Sequence, residues 1–243
     1  MMTNREEILR SLGRLRKGLL SVLLVVLLVT AGLYPFSGDL LRHLRNTSLQ
    51  IDLVAYGIPE SFLALLKLTL LAGLFFSAPV IFYQIWSSFA PLFRTKGLKQ
   101  TAFIMLTSLC LFYGGALFCY FVTLPFGVQF LIGYQSPQIK PMISVGKYVS
   151  FCAFFVFGFG LTFELPLILA LLGQLKLVQA AFLTRNRRYA ILLTAVLSAA
   201  ITPTPDPFNM ALMGGPLYLL FEIGVLLVKI IERKRTALEQ GPK

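Results

Sequence analysis

Glu164 is the one formally charged residue between Phe151 and Leu172, one of the most apolar stretches of the chain. A carboxylate at that depth in hydrocarbon costs on the order of 3 kcal/mol on insertion scales, so a residue of this type needs a reason to be there. Three chemistries suit it: a titrating acid that carries a proton, a hydrogen-bonding point for a visiting helix, or a structural carboxyl bonded to a neighbouring helix. Gly158, Gly160 and Pro166 flank it. Small residues permit close helix approach, and Pro166 deprives the Thr162 carbonyl of its intrahelical donor, so a bend beside Glu164 is expected.

Two more charges interrupt apolar runs. Glu222 lies in the last one, and at 1.5 Å per residue both acids stand about 12 to 13 Å from the same end of their segments. A structural, helix-packing role is the leading reading for Glu222. Lys67 is only about seven residues into its segment, so its four-carbon stem is expected to snorkel outward.

Other chemistry has little to work with. His43 is the only histidine, and Cys110, Cys119 and Cys152 all sit in apolar runs where a thiol behaves as a small hydrophobe. No nucleotide-binding loop, HExxH signature or repeated channel filter is present. No catalytic group, metal or cofactor is therefore expected.

The elements that position these charges are membrane spans. The chain of 243 residues is 57% hydrophobic and 13% charged with 22 Phe, which marks a polytopic membrane protein. Candidate spans are Gly18 to Phe36, Ser61 to Tyr83, Thr101 to Leu124, Tyr148 to Leu172, Tyr189 to Ile201 and Ala211 to Ile231. The fifth is short and needs help from its flanks or neighbours. The first follows a basic stretch but lacks an Ala-x-Ala-like cleavage site, so it is read as a retained anchor.

Six spans leave both termini on one side. Seventeen basic residues fall on that side against Arg42, Arg45, Lys140 and Lys147 on the other, which predicts cytoplasmic termini. The +12 net charge is thus a topology and lipid signal, and its division among short connectors argues against nucleic acid. Externally, Ser37 to Glu60 and Phe126 to Lys147 read as long loops able to cap the bundle. Thr202-Pro203-Thr204-Pro205-Asp206-Pro207 reads as a stiff turn that ends the fifth helix.

These features fit a helical receptor or scaffold better than an enzyme. The competing reading is a proton-coupled small-solute transporter that titrates Glu164, against which the two halves show no convincing repeat.

Several short motifs occur in a fixed order. They are Ser11-Leu12-Gly13-Arg14-Leu15-Arg16, Pro59-Glu60-Ser61-Phe62 with Lys67, Ala78-Pro79, Tyr83-Gln84-Ile85-Trp86 and Ala90-Pro91. Phe118-Cys119-Tyr120-Phe121 with Pro125, and Phe163-Glu164-Leu165-Pro166, follow. Arg185-Asn186-Arg187-Arg188-Tyr189, Thr202-Pro203-Thr204-Pro205-Asp206 and Phe221-Glu222-Ile223-Gly224 complete the series. Over nearly its whole length the chain resembles TatC, the multispanning receptor subunit of the twin-arginine protein translocase.

The resemblance implies an all-α membrane protein, a single integral domain over 1–243 whose six helices form a concave, cup-like bundle in a bacterial or archaeal cytoplasmic membrane. It implies single-span TatA- or TatB-like partners, twin-arginine signal peptides of folded precursors as ligands, self-association in a receptor complex, and export driven by the proton-motive force. Glu164 would then be the acid of the concave face that meets partner or signal helices. Arg16 and Gln84 would contribute to the binding surface, and Pro91, Pro166, Asp206 and Glu222 would be structural or gating positions.

Two departures stand out. The family usually carries Glu where this chain has Arg14, and another where it has Gly97. Acids there are expected to attract the signal's arginines. Reversal at Arg14 would weaken capture by roughly 1 kcal/mol or more at a partly exposed site, unless Glu6 and Glu7 compensate.

Overall fold

The computed structural model describes residues 3–48, 53–89, 98–133, 142–201 and 207–239, and those residues are almost entirely helical. Their outer surface is apolar. Leu19, Leu23 and Leu28 on the first helix and Leu192, Leu193 and Val196 near the end of the chain are more than half exposed. Thr69, Ser77, Ser108, Thr123, Ser198 and Glu164 are buried instead. Several of these hydroxyls bond to their own helix, Thr69 to the Leu65 carbonyl at 3.0 Å and Ser198 to that of Thr194 at 2.7 Å. This satisfies a polar atom without water, as a protein in lipid requires.

The elements are α1 (Thr3–Leu33), a 3₁₀ turn (Tyr34–Phe36), α2 (Ser37–Ser48), β1 (Leu53–Val54), α3 (Ile58–Phe76) and α4 (Ala78–Phe89). Then come α5 (Leu98–Phe118), a π-helical turn (Cys119–Thr123), α6 (Leu124–Gly133), β2 (Ile143–Ser144), α7 (Val145–Thr162) and α8 (Leu165–Gln174). The chain closes with α9 (Ala180–Arg185), α10 (Arg187–Ile201) and α11 (Pro207–Glu239).

Among the described residues, five stretches are long and apolar enough to cross a membrane: Gly18–Asn46, Ile58–Phe76, Thr101–Gln129, Val145–Gln174 and Met213–Thr236. The expected short fifth span corresponds to α10, whose 15 residues reach only about 22 Å. Expected boundaries shift where local chemistry intervenes. The second span divides at Ser77, just before Pro79 removes a donor, and the third continues past Leu124 to Gly133. Pro125 explains the π turn, because the wider Leu124 N–H to Cys119 carbonyl bond accommodates a helix lacking the next donor.

Contacts divide the chain into two compact units, Met1–Cys110 with Val128–Phe154, and Leu111–Gly127 with Phe155–Lys243. In the first, α1 packs along α3 and α4. Gly73 makes this possible: a β-carbon there would lie 3.1 Å from the Thr30 Cα and collide with its hydroxyl. The two connections expected to be loops are partly ordered. The first contains α2, held by the Tyr148 hydroxyl donating to the Leu44 carbonyl at 3.0 Å. It also contains β1, which pairs in parallel with β2 of the second connection.

Glu60 locks that pairing. Its carboxylate accepts from the Ser144 hydroxyl, from the Tyr56 N–H at 2.6 Å and from the Gly146 N–H at 3.4 Å, while the Tyr56 hydroxyl donates to the Met142 carbonyl at 2.7 Å. Lys67, expected to snorkel, donates to the Ser150 hydroxyl of α7 at 2.7 Å.

In the second unit α8, α9 and α10 all pack on α11. Ala180, Leu183, Val225 and Val228 form a buried cluster there, and Gly173 lets Val228 approach to 3.0 Å of a would-be β-carbon. The chain leaves α8 through a Schellman arrangement, with the Lys176 N–H on the Gly173 carbonyl at 3.1 Å and the Leu177 N–H on that of Leu172 at 3.0 Å. Lys176 takes the left-handed position, φ 63°, that glycine usually fills.

Candidate functional site

The bend expected beside Glu164 is a full interruption. α7 ends at Thr162, α8 begins at Leu165, and Phe163 and Glu164 form a turn between them. The ladder tightens there: the Glu164 N–H reaches back only three residues, to the Leu161 carbonyl at 3.1 Å, and the Glu164 carbonyl receives the Ile168 N–H at 2.9 Å to open α8. The Thr162 hydroxyl turns back to the Gly158 carbonyl at 2.7 Å. Glu164 occupies the position before α8, yet its side chain does not cap that helix, and the residue is only 5% exposed. A carboxyl is thus held inside the second unit where the run from α7 into α8 loses regular helix.

Close packing fixes the turn from two sides. From α5, a β-carbon on Gly115 would come within 2.8 Å of the Phe163 Cβ and of the Phe159 carbonyl oxygen. The Phe118 ring lies 5.8 Å from that of Phe163 and 6.1 Å from that of Phe159. Of the two glycines flanking Glu164, Gly160 is the one that admits a neighbour, with Phe112 ring atoms 2.8 Å from its would-be β-carbon; Gly158 meets nothing within 4 Å. From α11, Gly224 sits where a β-carbon would lie 3.2 Å from the Leu169 Cβ and 3.3 Å from the Pro166 Cα. These contacts are the helix-on-helix approach that small residues permit in a membrane.

The Gly224–Pro166 contact also sets levels. Glu222 precedes Gly224 by two residues and Glu164 precedes Pro166 by two, on helices that run in the same direction along one another, since Gly173, further along α8, meets Val228, further along α11. The two acids therefore lie on the same side of that contact along the helix axes, each about 3 Å from it and so at one level.

Glu222 is held by two partners. Arg187 Nη2 donates to its Oε2 at 2.8 Å and the Tyr218 hydroxyl donates to its Oε1 at 2.8 Å. Tyr218 is one helical turn away, the spacing at which side chains on a helix meet. Arg187, expected as a topology residue, is thus an ion-pair partner as well. At the other end of the same segment Glu232 accepts the Ala180 N–H at 3.0 Å, capping α9 from a distant helix.

Gln84 lies on α4 in the first unit. Its side chain covers Gly18 of α1, so closely that a β-carbon at Gly18 would be 2.5 Å from the Gln84 Cγ. Arg14 and Arg16 lie in α1 four and two residues before Gly18, with their side chains outside the described set. Pro91, Gly97 and Asp206 fall outside the described residues altogether. The structure therefore gathers Glu164, Pro166 and Glu222 in one unit, and puts Gln84 against α1 in the other. Gly115, Gly224 and Arg187 were not singled out as contacts in the sequence; the only signal was that small residues recur on apolar helices and that a lone acid needs a cation.

Comparison with known proteins places this arrangement. Residues 10–216 match the family described as the Sec-independent protein translocase protein TatC. The TatC protein of Carboxydothermus hydrogenoformans is 35% identical over 188 residues, 77% of each chain. That of Azotobacter chroococcum is 34% identical over 238 residues, covering 95% of this chain and 92% of its own. A crystal structure of the twin-arginine translocase receptor TatC superposes with a TM-score of 0.77 at 30% identity, over 91% of this chain and 99% of that one.

Proposed function

Because this chain belongs to the TatC family, and is thus a multi-pass membrane component of a protein translocase rather than an enzyme, we propose that it is the receptor subunit of a twin-arginine translocase. In this role it recognises twin-arginine signal peptides of folded precursors and organises single-span TatA- and TatB-like subunits for export driven by the proton-motive force. It sits in the cytoplasmic membrane as one integral domain of six spans, α10 included, with both termini on the cytoplasmic side, and associates with further copies of itself.

The observation that carries this reading is Glu164. It is buried at a helix interruption and does not cap its helix, and its neighbours Phe163 and Pro166 are closely packed against Gly115 on one side and Gly224 on the other. Such a carboxyl offers a fixed hydrogen-bonding point to a visiting transmembrane helix where water is scarce. One such bond contributes about 1 kcal/mol, several-fold in occupancy, so it selects a docking position more than it drives association.

The test is replacement of the resident receptor by this chain in a strain lacking its own, with export of a folded reporter measured per molecule of receptor. The native chain restores export. Glu164→Gln lowers export several-fold while its abundance stays within about twofold of native, consistent with loss of about 1 kcal/mol. Equal export per molecule sinks the role of Glu164, and failure of the native chain sinks the receptor reading. In the same strain Arg14→Glu strengthens photocrosslinking of an ordinary twin-arginine signal to the amino-terminal segment; full-strength crosslinking to the native chain would remove the idea that Arg14 weakens capture.

A further inference from the structure

Away from Glu164, a cavity of about 440 Å³ opens in the first unit between α2, β1, α3 and the start of α7. Its wall is divided by chemistry. Arg42, Arg45 and Ser61 contribute polar groups, and Leu41, Leu65 and Val145 contribute apolar ones. Arg42 and Arg45 are three residues apart on α2 and so share a face of that helix.

The depth of the cavity is legible from α3. Ser61 and Leu65 lie three and seven residues beyond its first residue, Ile58, or about 4 and 10 Å along the helix. The polar interfacial layer of a leaflet is roughly 5 to 7 Å thick, so the arginines stand beside headgroups and Leu65 at the beginning of the acyl region. Tyr34, which follows α1, and Tyr56, which precedes α3, are both exposed at this same end, where aromatic residues mark the membrane interface.

We propose that this cavity binds the headgroup and first acyl segment of an anionic phospholipid, in the leaflet reached by the carboxy-terminal end of α1. The guanidiniums of Arg42 and Arg45 take the phosphate, for which their planar forks are suited, and Leu41, Leu65 and Val145 line the path of the chain. The acids on α2 and α3 do not oppose this. Asp39 pairs with Arg42 through a single contact of 3.4 Å with both side chains about 70% exposed, a pairing weak enough for a phosphate to displace. Glu60 is already engaged by the Ser144 hydroxyl and two backbone N–H groups.

Charge complementarity selects the occupant over a zwitterionic lipid, and the apolar half of the wall selects a lipid over free phosphate. The site is independent of signal recognition.

The test uses the full chain purified in mild detergent, offered phosphatidylglycerol and phosphatidylcholine in equal amounts, with retained lipid read by native mass spectrometry. The expected result is preferential retention of one phosphatidylglycerol, reduced about tenfold in the Arg42→Gln/Arg45→Gln variant. The Arg42→Lys/Arg45→Lys variant keeps most of it, which separates loss of charge from loss of fold. Inorganic phosphate at a thousandfold excess leaves retention unchanged. Equal retention of the two lipids, full retention by the glutamine variant with native-like stability, or displacement by inorganic phosphate would each overturn the proposal.

Discussion

Gly224 gives the sharpest test of how the buried acid is held. A methyl group at this position meets three atoms: the Leu169 Cδ1 at 2.5 Å, the Leu169 Cβ at 3.2 Å and the Pro166 Cα at 3.3 Å. The first is the free end of a side chain and can rotate away. The other two are anchored to the backbone of α8, so relief requires the helices to part by a few tenths of an ångström. Gly224→Ala therefore costs about 1 kcal/mol, and Gly224→Leu, which adds four carbons to a filled space, about 2 to 3 kcal/mol. At roughly 2 to 4 °C per kcal/mol for a chain of this size, the melting midpoint in detergent falls by about 2 to 4 °C for alanine and by about 4 to 12 °C for leucine. Gly215 is the matched control, on the same helix with nothing within 4 Å of its would-be β-carbon. Gly215→Ala is neutral or stabilising by up to about 1 kcal/mol, since alanine is the better helix former. Because Glu164 is two residues from Pro166, the leucine variant also loses export beyond its loss of abundance. A Gly224→Leu protein that melts with the native chain would refute the close approach of α11 to the turn.

Two further outcomes follow from individual contacts. Arg187→Gln and Glu222→Gln, combined in a double-mutant cycle on melting in detergent, show a coupling of about 1 kcal/mol, reduced from the value for a dry pair because both side chains are partly exposed; a coupling of zero would mean the ion pair does not form. Lys176 holds a left-handed conformation, so Lys176→Gly stays within about 0.5 kcal/mol of native while the β-branched Lys176→Val loses roughly 1 to 2 kcal/mol. Equal stability of the glycine and valine variants would exclude the Schellman ending of α8.

How much of this was legible depends on the range of the interaction. The helices follow from uninterrupted apolar runs, and the turn at Glu164 from Pro166 two residues later, because both are local consequences of composition and a missing donor. The level shared by Glu164 and Glu222 also follows from counting residues inward from the basic ends. The partners do not. Glu222 and Arg187 are 35 residues apart, and nothing within either segment says that one reaches the other. The β1–β2 pairing uses two residues from each connection, too few to leave an alternating pattern, and is held by an acid that reads as an ordinary first-turn residue of α3. The π turn had a visible cause in Pro125, but the same proline fits a simple helix stop. The concentration of basic residues pointed to orientation and concealed that Arg187 also has a contact of its own.

The placement of α10 follows from its neighbours along α11. The Ala180 N–H is bonded to Glu232, and seven residues later the Arg187 guanidinium is bonded to Glu222. Ten residues of α11 separate those acids, about 15 Å along its axis, a distance shared between α9, about 9 Å long, the one-residue link after it and the reach of the Arg187 side chain. From there α10 runs antiparallel to the first half of α11; Ser198 meets Gly214 with its hydroxyl 3.0 Å from the would-be β-carbon. The 15 residues of α10 then extend about 22 Å along α11, short of the roughly 30 Å of a hydrocarbon layer. Glu222 is thus a register pin: it fixes how far along α11 the arginine that starts α10 must sit.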